Sequence, residues 1–210
     1  AGLSLNGVIE AASFNLFGGQ GKIILPGKFA QNLSIEELKL KGRYEGVGEV
    51  LDIDELFINL GSEGSVLIPS KTNYQIPLSS VRGKGQYFVN NKRLVFDFTD
   101  LDLQGPTASL NVVAKNFSSL TEIGHKSLSM EIKGSLRDLP INQLSLYWPP
   151  ELNEDSRRWA LANLSEGLVH NIRAEGTIYS DDEVLKVLSV DGDMELSGVS
   201  VKYLSSMPPV

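Results

Sequence analysis

The residues that could do chemistry by type and spacing are, first, carboxylates two positions apart: Asp52 with Asp54, Asp100 with Asp102, and Asp191 with Asp193. On an extended strand an i, i+2 pair points to one side, as calcium ligation or the acid and base of a glycosidase would require. Each pair, however, alternates with apolar residues, and none lies in a glycine-turned ligand loop. Acids spaced in this way mark the solvated face of a half-buried strand. The two histidines, His125 and His170, are too few for a three-ligand zinc site, and neither has a metal-binding neighbour at i+4. No serine sits in a Gly-x-Ser-x-Gly elbow. Gly18-Gly19-Gln20-Gly21 and Gly83-Lys84-Gly85 lack the strand-loop-helix setting and the Lys-Ser/Thr ending of a phosphate loop. Trp148 and Trp159 could stack on a sugar, but beside a lone helix they read as core packing. We therefore read the chain as non-enzymatic, without metal or cofactor.

Composition narrows the classes further. There is no cysteine, which excludes disulfide scaffolds, thiolate metal sites and cysteine nucleophiles. A net charge of −7, spread along 210 residues, leaves no basic stripe for a phosphate backbone, so nucleic acid is not an expected partner. Aromatic residues do not alternate with basic ones, which argues against single strands too. Asn-x-Ser triplets at Asn32, Asn116 and Asn163 are short enough to arise by chance. The chain opens on Ala1-Gly2-Leu3-Ser4 and closes on Pro208-Pro209-Val210, with no signal segment or spanning helix. We expect a piece of a longer polypeptide, with any anchor or targeting signal elsewhere.

The elements that must position these residues repeat. A short alternating run ends in a glycine at Leu38-Lys39-Leu40-Lys41-Gly42, Val81-Arg82-Gly83-Lys84-Gly85, Ile132-Lys133-Gly134 and Ile172-Arg173-Ala174-Glu175-Gly176. The near-constant period of these glycines is the mark of stacked supersecondary units. A longer strand follows three of them: Leu51 to Leu60, Leu94 to Leu103, and Leu188 to Leu196. Its apolar phase is expected to slip at an acidic patch, at Asp54-Glu55, Thr99-Asp100 and Asp191-Gly192-Asp193. Such a slip needs a bulge or bend. Asn90-Asn91 and Ser180-Asp181-Asp182-Glu183 read as hairpin turns, since Asn tolerates positive φ, and the glycines are expected mostly at strand ends.

One segment breaks the pattern. Asn153 is a suitable N-cap, acids fill the next turn, and Gly167 suits the left-handed C′ position, so a short helix is expected near residues 153–166. Trp159, Ala160 and Leu164 are expected to face the sheet. A second helix is possible near Phe117 to Ile123. The fold class expected is mostly β: antiparallel repeated strand units forming a curved or groove-like sheet. The units run over residues 1–34, 35–78, 79–127, 128–170 (with the helical insertion) and 171–210.

One helix cannot cover so many half-apolar strands, and this shortage is the functional clue. Leu94, Phe96 and Phe98 share a face, Leu51 and Ile53 hold the corresponding positions, and so do Leu188 and Val190. Stacked across strands, these seven would form an apolar wall open to a lipid.

The stretch Leu144-Ser145-Leu146-Tyr147-Trp148-Pro149-Pro150, through Arg158-Trp159-Ala160-Leu161-Ala162-Asn163-Leu164-Ser165-Glu166-Gly167 to Ala174-Glu175-Gly176, resembles the AsmA-like bacterial envelope proteins, especially the YhdP type. The Gly-ended strands and the run from Leu51 to Leu56 are similar to that group as well. The resemblance implies a section of a long β groove crossing the periplasm, with the parent anchored in the inner membrane. It would conduct phospholipid or another acyl-chain lipid toward the outer membrane, beside neighbouring repeats of the same parent chain, in outer membrane biogenesis. It implies no catalytic residue. Two rivals remain: a structural or protein-binding β module of the envelope without lipid transport, and a sugar-binding module using Trp148 or Trp159.

Overall fold

Alternating apolar and polar residues run through most of the chain, and an extended strand is the backbone form that sorts them onto two faces. The computed structural model describes residues 2–3, 9–25, 31–68, 74–117, 128–150, 153–181 and 184–202. They are mostly β, as the alternation requires, and the principal sheet is antiparallel and does not close. Its strands are β1 (Gly2–Leu3), β2 (Ile9–Gly18), β3 (Glu37–Glu45), β4 (Val50–Asn59), β5 (Ser80–Phe88), β6 (Arg93–Asp102), β7 (Thr107–Lys115), β8 (Leu128–Pro140), β9 (Leu168–Asp181) and β10 (Val184–Ser197). Spatial order equals chain order. The sheet is a meander, the simplest outcome when consecutive strands pair locally.

Three insertions interrupt the meander. One hairpin, Gly21–Leu25 with Gln31–Ile35, stands between β2 and β3. Another, Ser65–Ile68 with Tyr74–Pro77, stands between β4 and β5. Between β8 and β9 come a 3-10 turn (Ile141–Gln143), helix α1 (Leu144–Tyr147), helix α2 (Glu154–Asn163) and a two-residue strand, Leu164–Ser165, which pairs with Ser200–Val201.

Helix α2 starts where the sequence places it. The Asn153 side chain accepts from the Ser156 N–H at 3.4 Å, and Glu154 and Asp155 lie in the first turn, where the helix dipole favours negative charge. Its end corrects the expectation. Leu164 turns extended to join the small strand pair, so Gly167 is not the helix C′ residue. Gly167 instead has φ 83° in the turn before β9, against the Gly198 backbone, where a Cβ would meet the Gly198 carbonyl carbon at 2.7 Å. Ala160 is buried and Leu164 packs with it, but Trp159 is half exposed. A four-residue step brings 160 and 164 to one face, and Trp159 points away from it. The possible helix near Phe117 to Ile123 lies, from residue 118 on, outside the described residues. Among the described residues no helix is long and apolar enough to cross a membrane.

The phase slips are real in two of three places. Between Ile53 and Leu56 the β4–β5 register shifts, and between Phe98 and Leu101 both neighbours of β6 shift. The third expectation is corrected. Across Asp191, Gly192 and Asp193 the β9–β10 pairing is continuous, because Gly192 simply holds the even-numbered apolar position between Val190 and Met194. The β10 irregularities fall instead opposite Thr177/Ile178 and Val169/Asn171.

The first hairpin turn forms, with different chemistry. Val89 to Lys92 make a four-residue turn in which Lys92, rather than either Asn, takes positive φ (50°). Asp181 pairs with Val184, and residues 182–183 lie outside the described residues. The marker glycines also depart from expectation: Gly42, Gly85, Gly134 and Gly176 lie inside β3, β5, β8 and β9, not at their ends.

Candidate functional site

Antiparallel register places directly opposed residues on the same side of a sheet, so the apolar face can be followed laterally. One row reads Phe14, Gly42, Ile53, Gly85, Phe96, Val112, Ile132, Gly176, Val190 from β2 to β10. Beside it run Ala12, Tyr44, Leu51, Tyr87, Leu94, Ala114, Met130 and Ile178. On its other side run Leu16, Leu40, Leu56, Gly83, Phe98, Leu110, Gly134, Ala174 and Gly192. No charged residue interrupts these rows.

The structure therefore brings Leu51, Ile53, Leu94, Phe96 and Phe98 together on one face, in adjoining rows. Val190 shares the Ile53–Phe96 row at the far margin and is 57% exposed. Leu188 is the exception: it falls at the register shift, between residues paired with Ile178 and Thr177, and it is also exposed.

The marker glycines explain how the face is shaped. A Cβ on Gly85 would meet Phe96 Cδ2 at 2.5 Å and the Val95 carbonyl oxygen at 2.7 Å; on Gly83 it would meet Phe96 Cε1 at 2.7 Å. The Phe96 ring thus lies flat across both glycines of the neighbouring strand, with Phe98 at a centroid distance of 4.5 Å. Gly42 stands in the same relation to Phe14, whose Cζ a Cβ would meet at 2.6 Å. Backbone oxygens of Val95, Asp97, Asp52 and Ser189 crowd the Cβ side of Gly85, Gly83, Gly42 and Gly176. Close backbone approach on one side of a strand is what a bend toward that side produces, and interior glycines permit it. The position of each glycine on this face is legible in the sequence, since each replaces an apolar residue in an otherwise apolar register.

Among the described residues, most of the covering material lies along one margin. A fourth lateral row, Leu38, Ile58, Val81, Leu101, Ala108 and Leu136, packs under Ile23 and Leu33 of the first hairpin, Val66 and Ile76 of the second, and Tyr147 of α1. The helical insertion closes the adjoining corner through Leu139, Ile141, Leu144, Ala160 and Val169. Two phenols fasten this cover. Tyr147 Oη donates to the Leu103 carbonyl at 2.7 Å, and Tyr74 Oη donates to the Ser145 carbonyl. Burial raises both phenol pKa values above their ordinary 10.0, with Arg157 opposing the shift at Tyr74 and Asp102 reinforcing it at Tyr147. At the opposite margin Phe117 caps Leu94, Ala114, Leu128 and Met130. Among the described residues no second sheet lies over the rows between.

The other face is polar and paired. Arg43 Nε lies 3.2 Å from Asp52, Lys115 Nζ 2.8 Å from Glu131, and Lys133 Nζ 2.8 Å from Glu175. Lys115 holds the Glu131 carboxyl below its usual range, and Glu175 holds the Lys133 ammonium above its own. Phe57 lies between the guanidinium of Arg82, 4.1 Å from its ring centre, and the ammonium of Lys39 at 5.3 Å. Two open hollows on this face, of about 530 and 320 Å³, are walled by side chains of both signs, including Lys133, Arg173 and Asp191 in one and Arg43, Asp52 and Lys84 in the other. The acid pairs sit here: Asp52 and Asp54 are both held by Arg43, and Asp102 accepts from the Gln104 N–H.

No protein-family model, curated protein or solved structure matches this chain.

Proposed function

We propose that the uncapped apolar face holds the acyl chains of a phospholipid or similar lipid, and that the chain is a section of an AsmA-like periplasmic protein carrying lipid between inner and outer membrane. An inner-membrane anchor of the parent would lie outside the described residues. The observation that carries this reading is the unbroken apolar register across nine strands with cover, among the described residues, at its margins alone. Nine strands about 4.8 Å apart span roughly 40 Å, and three rows about 6.8 Å apart cover roughly 20 Å. That footprint is on the order of 800 Å², within which Phe96 and Ala114 are buried and Phe117 closes the corner over Leu94 and Met130. A leaflet of acyl chain is about 15 Å deep, half the hydrocarbon core, and fits within it. The resemblance of residues 144–176 to the AsmA-like group supplies the cellular setting.

Native mass spectrometry of the purified chain, with displacement of a fluorescent phospholipid, tests the reading. Bound phospholipid is expected, and Ile53→Asp should fold while losing at least about tenfold in lipid affinity. Ile53 is flanked by Gly42 and Gly85 on a face that water reaches, so a carboxylate there is hydrated rather than trapped. A folded protein that carries no lipid and displaces none would leave the structural or protein-binding module as the better reading.

A further inference from the structure

The outermost strand of the sheet carries a charge pattern that its neighbour matches at one position only. β10 pairs with β9 along one side, and among the described residues no strand lies along the other. Its polar face reads Ser189, Asp191, Asp193, Glu195, while its apolar face reads Leu188, Val190, Gly192, Met194, Leu196. All four large apolar residues are exposed, Met194 and Leu196 by 51% and 41%. A long edge of this kind offers free backbone donors and acceptors to a further strand.

Several acids elsewhere in the sheet face a base across the ladder. β4, with Asp52 and Glu55, lies beside Lys39, Lys41 and Arg43 of β3, and on β6 Asp97 and Asp100 oppose Lys84 and Arg82 of β5. Arg43 opposes Asp52 and Lys41 opposes Glu55. β10 has such support on its inner side at one position only. Asp193 opposes Arg173, but Asp191 opposes Glu175, which already pairs with Lys133.

We infer that β10 receives an antiparallel strand from a further repeat unit, alternating Lys or Arg with apolar residues in the manner of Leu38 to Arg43. Three lines of chemistry select that occupant. Basic residues at every second position meet Asp191, Asp193 and Glu195. The apolar residues between them continue the rows of Val190 and Met194. A glycine in register with Gly192 repeats the glycine-bearing lateral rows. A second copy of this chain fits badly through its own edges. Antiparallel β10–β10 pairing sets acids against acids, which destabilises a sheet, and β2 offers only Ser13, Asn15 and Phe17 on its polar face. The inference stands whether or not the apolar face takes lipid.

The test uses the whole chain and a fluorescent peptide with the sequence of residues 38–44, beside a second peptide in which Lys39, Lys41 and Arg43 are replaced by Glu. The basic peptide should bind at least about tenfold tighter than the acidic one, from three cross-strand charge pairs. The preference should weaken with salt. Asp191→Lys/Asp193→Lys/Glu195→Lys should invert it, and Asp191→Asn/Asp193→Asn/Glu195→Gln should abolish it in a chain that melts like the parent. Equal binding of both peptides, binding of neither, or a preference unchanged in the folded neutral variant would overturn the inference. So would self-association of the parent chain that blocks peptide binding.

Discussion

Gly85→Ala should destabilise this protein, against the ordinary effect of that substitution. In a strand interior alanine normally gains about 0.5–1 kcal/mol over glycine, because glycine loses more backbone freedom on folding. At Gly85 the added methyl would sit 2.5 Å from Phe96 Cδ2 and 2.7 Å from the Val95 carbonyl oxygen. The ring can tilt, but the carbonyl belongs to the β5–β6 ladder, where Val95 opposes Gln86, and moving it disturbs that pairing. With one contact to backbone, overpacking here belongs in the upper part of the usual range, about 2–3 kcal/mol, so after the entropy gain the net loss is roughly 1–2.5 kcal/mol. Gly134→Ala is the control. Its nearest contacts are Leu110 Cδ1 and the Ser109 oxygen, both at 3.3 Å, and its effect should stay within about 0.5 kcal/mol. Urea unfolding followed by far-ultraviolet circular dichroism, at unchanged m, measures both. Combining Gly85→Ala with Phe96→Ala should recover about 1 kcal/mol of coupling, the part due to the ring. A Gly85→Ala protein as stable as the parent would refute the account of the marker glycines as places of close approach.

Three further outcomes are expected. Asn153→Ala removes the cap of α2 and should cost about 1 kcal/mol in the same unfolding assay. Tyr147→Phe deletes the phenol bond to Leu103 and should lower stability by about 0.5–1.5 kcal/mol, with the sheet's circular dichroism unchanged. Tyr74 and Tyr147 have folded pKa values raised above 10.0; their contribution is therefore fully present below pH 10.0 and is lost as pH rises through the raised values. Ultraviolet titration should show tyrosine ionisation continuing above pH 10.0, and Tyr147→Phe should remove part of that late signal.

The sequence by itself determined the class of the fold and the membership of its apolar face. Period-two alternation is a property of the strand backbone, so Leu94, Phe96 and Phe98 had to share a side whatever lay beside them. Helix α2 was equally legible at its start, because the Asn153 cap and the acids after it act within one turn. Its end was not. Leu164 left the helix to pair with Val201, a contact between distant residues, and that freed Gly167 for a turn packed on Gly198. Trp159 reads as core because it sits on a lone helix, yet orientation around α2 follows from which side packs with Leu139 and Val169. Lateral order was also a tertiary decision. That Ile53 stands between Gly42 and Gly85, and Phe96 between Gly85 and Val112, depends on register, which no single strand encodes. The purpose of the glycines emerged only with that register, because a ring from the next strand occupies the space a side chain would need. Whether the apolar face is capped was beyond any local pattern. It depends on where two hairpins and α1 come to rest, and they rest along one margin.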